Sequence, residues 1–125
     1  MEYTNKSSLK SSIRELIRVT AAVAFGALQD KYKQPKFIEN SAESSLYLEL
    51  IKKIDDGKIE EVENIIWERV THKKSSDFHL ALDLYGYMNE KDDDFLRKNH
   101  FSREEIKDGL EYVIMSYQYG GFVNI

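Results

Sequence analysis

The chain has no cysteine, and only one proline and six glycines in 125 residues. Without cysteine there are no disulfides, no thiolate zinc ligands and no thiol chemistry, and nothing points to an oxidising compartment. So few breaks leave long stretches free to run as helix. Long apolar runs are missing too. The longest uncharged stretch, Val19 to Gln29, reads VTAAVAFGALQ, well short of the roughly 18–20 apolar residues that span a bilayer. Basic clusters are scarce, with no Lys/Arg block longer than Lys52-Lys53 or Lys73-Lys74. With a net charge of −4, the chain lacks the basic face that displaces counterions from phosphates, so nucleic-acid binding is not expected. The opening MEYTNKSS does not have the basic-then-apolar order of a secretory leader. The expected setting is the cytoplasm, away from any membrane.

What remains is 42% hydrophobic and 32% charged, the composition of a folded domain with a well-charged surface. The apolar residues recur at three- and four-residue steps nearly throughout. Leu9, Ile13, Leu16, Ile17 and Thr20 start a first helix expected over 8–31, ending before Pro35. A second is expected over 42–55, a third around Ile59, Val62, Ile66 and Val70, and a fourth over 77–89. A short helix follows at 93–98, and a last one carries Ile106, Gly109, Leu110, Val113, Ile114 and Tyr117 as far as Gly120-Gly121. No stretch alternates as a strand would. The expected fold is all-α: five to six helices packed as consecutive antiparallel hairpins. It is a single domain over 1–125, with a polar lead (1–7) and a short tail (118–125). The small-sided, uncharged first helix reads as a central helix packed by the others, and the fourth as buried on two sides.

The helix ends carry local signals. Gly57 sits where a left-handed C-terminal cap belongs. Asp92 is placed to cap the short helix, whose first turn is acidic and suits the positive end of the helix dipole. Ser102 and Glu105 have capping-box spacing, flanked by Phe101 and Ile106 as a hydrophobic staple. Ser12 with Glu15, and Ser76 or Asp77, are further candidate caps.

Gly57 before a helix with Glu63-Asn64, Tyr85 and Asn89 closing the next, the run FSREEI at 101–106 and Gly109-Leu110 together resemble a family. It is a family of small uncharacterised bacterial all-helical proteins with tetratricopeptide-like helical hairpins, and the resemblance spans about residues 46–118. It implies the fold and assigns no activity or catalytic residue. A true tetratricopeptide array would show a period of about 34 residues, and no such period is present. The hairpins are of a related kind without being a repeat array.

Candidate chemistry is thin. His72, His79 and His100 offer no pair at the i, i+4 spacing of helical zinc sites. Asp92, Asp93 and Asp94 precede Arg97 where a calcium loop needs glycine. No metal site or cofactor is expected. Within GKIEEVEN, Glu60 and Glu61 read as a solvated face. Glu63 and Asn64 stand apart from them, because asparagine is a mediocre helix former and suits a bridge to a neighbouring loop. The serines cluster at helix starts, and no nucleophile elbow, phosphate loop or dinucleotide fingerprint occurs.

Two features invite a partner. Ala22, Phe25 and Gly26 lie in the small-sided part of the first helix, where another helix could approach closely. Tyr112, Tyr117, Tyr119 and Phe122, with Tyr85 and Tyr87, supply the aromatic surface favoured at interfaces. The functional expectation is a non-enzymatic interaction or regulatory module, binding a protein partner or itself by an apolar face or groove, its acidic surface selecting a basic partner. The alternative is a small-molecule- or metal-dependent enzyme within a helical bundle, using Glu63 or Asp92 with His100.

Overall fold

The structure, a computed structural model, describes residues 6–25 and 42–118. Among these lie six helices and no strand: α1 (Lys6–Phe25), α2 (Ala42–Asp55), α3 (Ile59–Val70), α4 (Ser75–Asn89), α5 (Asp93–Lys98) and α6 (Arg103–Gln118). The all-α hairpin expectation holds, with α2 packed on α3, α3 on α4 and α4 on α6. Within the described residues, no helix is long and apolar enough to cross a membrane.

The central helix is α4, not α1. It touches α1, α2, α3 and α6, and its sequence SSDFHLALDLYGYMN explains why. Phe78, Leu80, Ala81, Leu82, Leu84, Tyr85 and Met88 point several ways around its axis and are all buried. A helix that is apolar on most sides must be covered on most sides. By contrast, α1 covers one face with Ile13, Ile17 and Ala21, while Val19 and Val23 stay 43% and 59% exposed on the other.

Local signals set most ends. Gly57 has φ +86°, and a Cβ there would collide with the Asn99 side chain. Asp92 Oδ1 accepts from Phe95 N–H at 2.8 Å. The capping box closes in both directions, with Ser102 N–H to Glu105 Oε1 at 2.8 Å and Glu105 N–H to Ser102 Oγ at 3.1 Å. Phe101 and Ile106 are buried beneath it.

Two expected caps are corrected. Because α1 begins at Lys6, Ser12 lies in its interior and Glu15 pairs with Arg18 instead. Because α4 begins at Ser75, neither Ser76 nor Asp77 caps it. The Asp77 carboxylate is buried and accepts from Arg69 Nε at 2.9 Å across the α3–α4 turn; a charge-assisted bond outcompetes a neutral backbone donor.

One clasp depends on long-range contacts. The buried Arg103 guanidinium donates through Nη1 to the Asn89 carbonyl at 2.5 Å and to its Oδ1 at 3.2 Å. Its Nη2 donates to the Lys91 carbonyl at 3.0 Å and Asp93 Oδ1 at 2.6 Å. Asn89 in turn donates to the Lys10 carbonyl at 3.0 Å. Through one arginine and one asparagine, α1, α4, α5 and α6 are tied together at one end.

Candidate functional site: a cleft between α3 and α6

On α3, Glu63 and Trp67 are four apart and share a face. On α6, Glu105, Asp108, Gly109 and Tyr112 fall at i, i+3, i+4 and i+7 and form one stripe. These six residues line a cleft of about 440 Å³ between the two helices. The neighbouring stripe of α6, with Ile106, Leu110, Val113 and Ile114, is buried in the core. One helix thus serves the core along one edge and the cleft along another.

Tyr85 of α4 lies behind this lining, against Glu63, Trp67 and Gly109, and is itself fully buried. Its hydroxyl donates to Glu63 Oε2 at 2.7 Å and accepts from Trp67 Nε1–H at 3.1 Å. Glu63 is only 7% exposed. A Cβ on Gly109 would collide with the Glu63 carboxylate and the Tyr85 hydroxyl. Glycine in a helix interior costs about 1 kcal/mol relative to alanine; here it lets α6 close over a buried polar pair. At the rim, the Trp67 and Tyr112 rings meet edge to face, centroids 5.4 Å apart and planes at 63°.

The electrostatics follow from this enclosure. Burial pushes the Glu63 carboxyl above its ordinary range, and the nearby charges of Glu105 and Glu60 add to the shift while the Tyr85 hydrogen bond opposes it. Burial and the Glu63 charge likewise hold the Tyr85 hydroxyl well above the usual phenol range. Several acids elsewhere pair with cations: Glu90 with Arg14, Glu61 with Lys53, Asp55 with Lys91, Asp77 with Arg69 and Asp93 with Arg103. Among the described residues, no lysine or arginine forms a salt bridge with Glu63, Glu105 or Asp108.

A family model covers residues 3–118 of the chain. The chain belongs to the family of unknown function DUF6483. No curated protein and no solved structure matches it. For this DUF6483 chain the site therefore has to be read from its own geometry.

Among the described residues, those expected to form an aromatic groove do not share one surface. Tyr85 is buried behind the cleft, its hydroxyl on Glu63 and Trp67. Tyr87, two positions on and so on another face of α4, donates to Asp55 Oδ1 at 2.7 Å on α2. Tyr117 stacks on Phe78 at 4.3 Å and donates to the Lys74 carbonyl at 2.7 Å, sealing the core; burial pushes its hydroxyl up to about 12. Tyr112 alone of the described set is at an open rim, 50% exposed. Ala22 is half-buried on α1. Phe25 ends that helix; its side chain, together with Gly26, Tyr119 and Phe122, lies outside the described residues, as do the expected end of the first helix at Lys31 and residues 119–125 of the tail.

The residues of the enzymatic alternative are also separated. Asp92 caps α5. His100, at φ 59°, lines a second cleft of about 330 Å³ with Arg97 and Ser102, and Glu63 is not part of that lining. Among the described residues, no three His, Asp or Glu side chains converge as metal ligands. Asn64, expected as a bridge, is exposed; Glu63 makes the buried bridge instead. The signal was in the register. Glu63 lies four residues after Ile59, three before Ile66 and seven before Val70, so it sits within α3's apolar face and not beside Glu60 and Glu61 on the solvated one.

Proposed function

We propose that this DUF6483 protein is a non-enzymatic helical interaction module whose α3–α6 cleft receives a segment of a protein partner. The observation that carries this reading is the rim, where Trp67 and a half-exposed Tyr112 meet edge to face in a cleft also lined by the nearly buried Glu63. Tryptophan and tyrosine dominate binding energy when they offer apolar area beside a polar tip. Within this proposal the hairpins act as a tetratricopeptide-like frame, and the partner is another protein or a second copy of the chain. Nucleic acid is disfavoured by the net charge of −4 and by the cleft's three carboxylates. The absence of cysteine, with the family resemblance, supports a bacterial cytoplasm as the setting.

A second reading has one specific support. A buried carboxyl with a raised pKa in a cleft of this size is the environment of a general acid, and Glu63 would fill that role. Turnover of a small molecule that is abolished by Glu63→Gln would establish this reading.

The docking reading is tested by placing a photo-activatable aromatic residue at position 112 and, as a control, at position 23 on the outer face of α1. Irradiation in a native extract should attach a discrete protein at 112 and not at 23. Adducts from 23 alone would move the interface to α1.

A further inference from the structure

We infer that the group received by the α3–α6 cleft is a cation: the lysine or arginine side chain of a basic segment in the partner. This deepens the docking reading and rests on it.

The chain itself shows the constellation that holds such a cation. Lys91 Nζ lies 4.8 Å from the centroid of the Tyr87 ring and 4.9 Å from that of Phe95, and it donates to Asp55 Oδ1 at 2.5 Å. Two aromatic rings attract the ammonium through their negative faces, and a carboxylate takes its hydrogen bond. The cleft presents the same elements on a larger scale. Trp67 and Tyr112 supply two rings packed edge to face, with planes at 63°. Glu63, Glu105 and Asp108 supply carboxylates. Unlike Asp55, these three have no salt-bridge partner among the described lysines and arginines.

The energetics point the same way. Three like charges around one cleft repel each other, and Glu63 bears a desolvation cost as well. An entering cation offsets both by its charge, whereas a neutral side chain offsets neither and an anion adds to the repulsion. At about 440 Å³ the cleft has room for one long side chain with part of its flanking backbone. A lysine or arginine stem would lie along the Trp67 and Tyr112 rings while its head reaches the acids, as amphipathic side chains do.

Trp67 is the single tryptophan of the chain, so its indole N–H gives one unambiguous nuclear magnetic resonance signal. The isotopically labelled full chain would be titrated with short peptides differing at one central position: lysine, arginine, norleucine or glutamate. The lysine or arginine peptide should shift the Trp67 signal saturably. It should bind about tenfold more tightly than the norleucine peptide, and weaken with added salt or on Asp108→Asn. The glutamate peptide should leave the signal in place. Equal binding of the norleucine peptide would overturn the cationic assignment while leaving the docking cleft intact. If no peptide moves the Trp67 signal at millimolar concentration, both fall. A shift insensitive to salt and to Asp108→Asn would place the cation elsewhere and overturn the inference.

Discussion

At the scale of single residues, the Tyr85 hydroxyl supports the site. It gives Glu63 a hydrogen bond and receives one from Trp67. Tyr85→Phe leaves a buried carboxylate without its donor and an indole N–H without its acceptor. It should cost about 1–3 kcal/mol in urea unfolding with little change in far-ultraviolet circular dichroism. Glu63 predicts a pH dependence of definite sign. Its folded-state pKa lies above the unfolded one, so the folded chain holds this proton more tightly than the unfolded chain does. The stability this contributes is fully present below the unfolded carboxylate pKa and is lost as pH rises through the folded value. Wild type should therefore lose stability relative to Glu63→Gln between acid and neutral pH. Asp55 and Glu90, whose carboxyls are shifted down by Lys91 and Arg14, act in both proteins and cancel in the comparison. Unfolding curves of the pair at several pH values check this; a constant difference would show that Glu63 titrates normally.

At the scale of elements, the sequence was most legible where a signal is local. Asp92, Ser102 with Glu105, and Gly57 each satisfy backbone groups within a few residues, so spacing alone revealed them. Gly57→Ala should destabilise by more than about 1 kcal/mol, because a left-handed φ strains any residue with a Cβ. Adding Asn99→Ala removes the side-chain collision but not the strain, so the double variant should stay less stable than Asn99→Ala alone in thermal melts. Arg103 was not legible. Its acceptors include the main-chain carbonyls of Asn89 and Lys91, and no spacing rule marks which distant carbonyls a side chain will reach. Arg103→Lys keeps the charge but lacks the planar fork that serves both nitrogens. It should lower stability by about 2 kcal/mol in urea unfolding, on the scale of lost charged hydrogen bonds. The Ser12 and Asp77 caps failed for the complementary reason: a cap is set by where its helix begins, and here the helices start earlier than the apolar stripes suggested.

At the scale of the molecule, fold class and helix order were readable from periodicity, because six amphipathic segments with few breaks leave little besides stacked hairpins. Which helix becomes the centre depends on how many sides are apolar. The apolar faces of α4 widen in several directions, whereas the buried residues of α1, Ile13, Ile17 and Ala21, form one narrow strip. The cleft was least visible. It arises where two helices far apart in sequence each turn a secondary stripe toward the other, and each half read alone resembles an ordinary solvated edge. Tyr112 was recognised as aromatic surface, but its neighbours Glu105, Asp108 and Gly109 gain meaning only opposite Glu63 and Trp67. The central claim is that this junction receives a partner's cationic side chain. A crystal structure of the full chain with the lysine-centred peptide tests it most directly. The account predicts the ammonium within about 6 Å of the Trp67 or Tyr112 ring centroid and hydrogen-bonded to Glu63, Glu105 or Asp108. A peptide seated on the outer face of α1, or one whose lysine points away from the cleft into solvent, would contradict it.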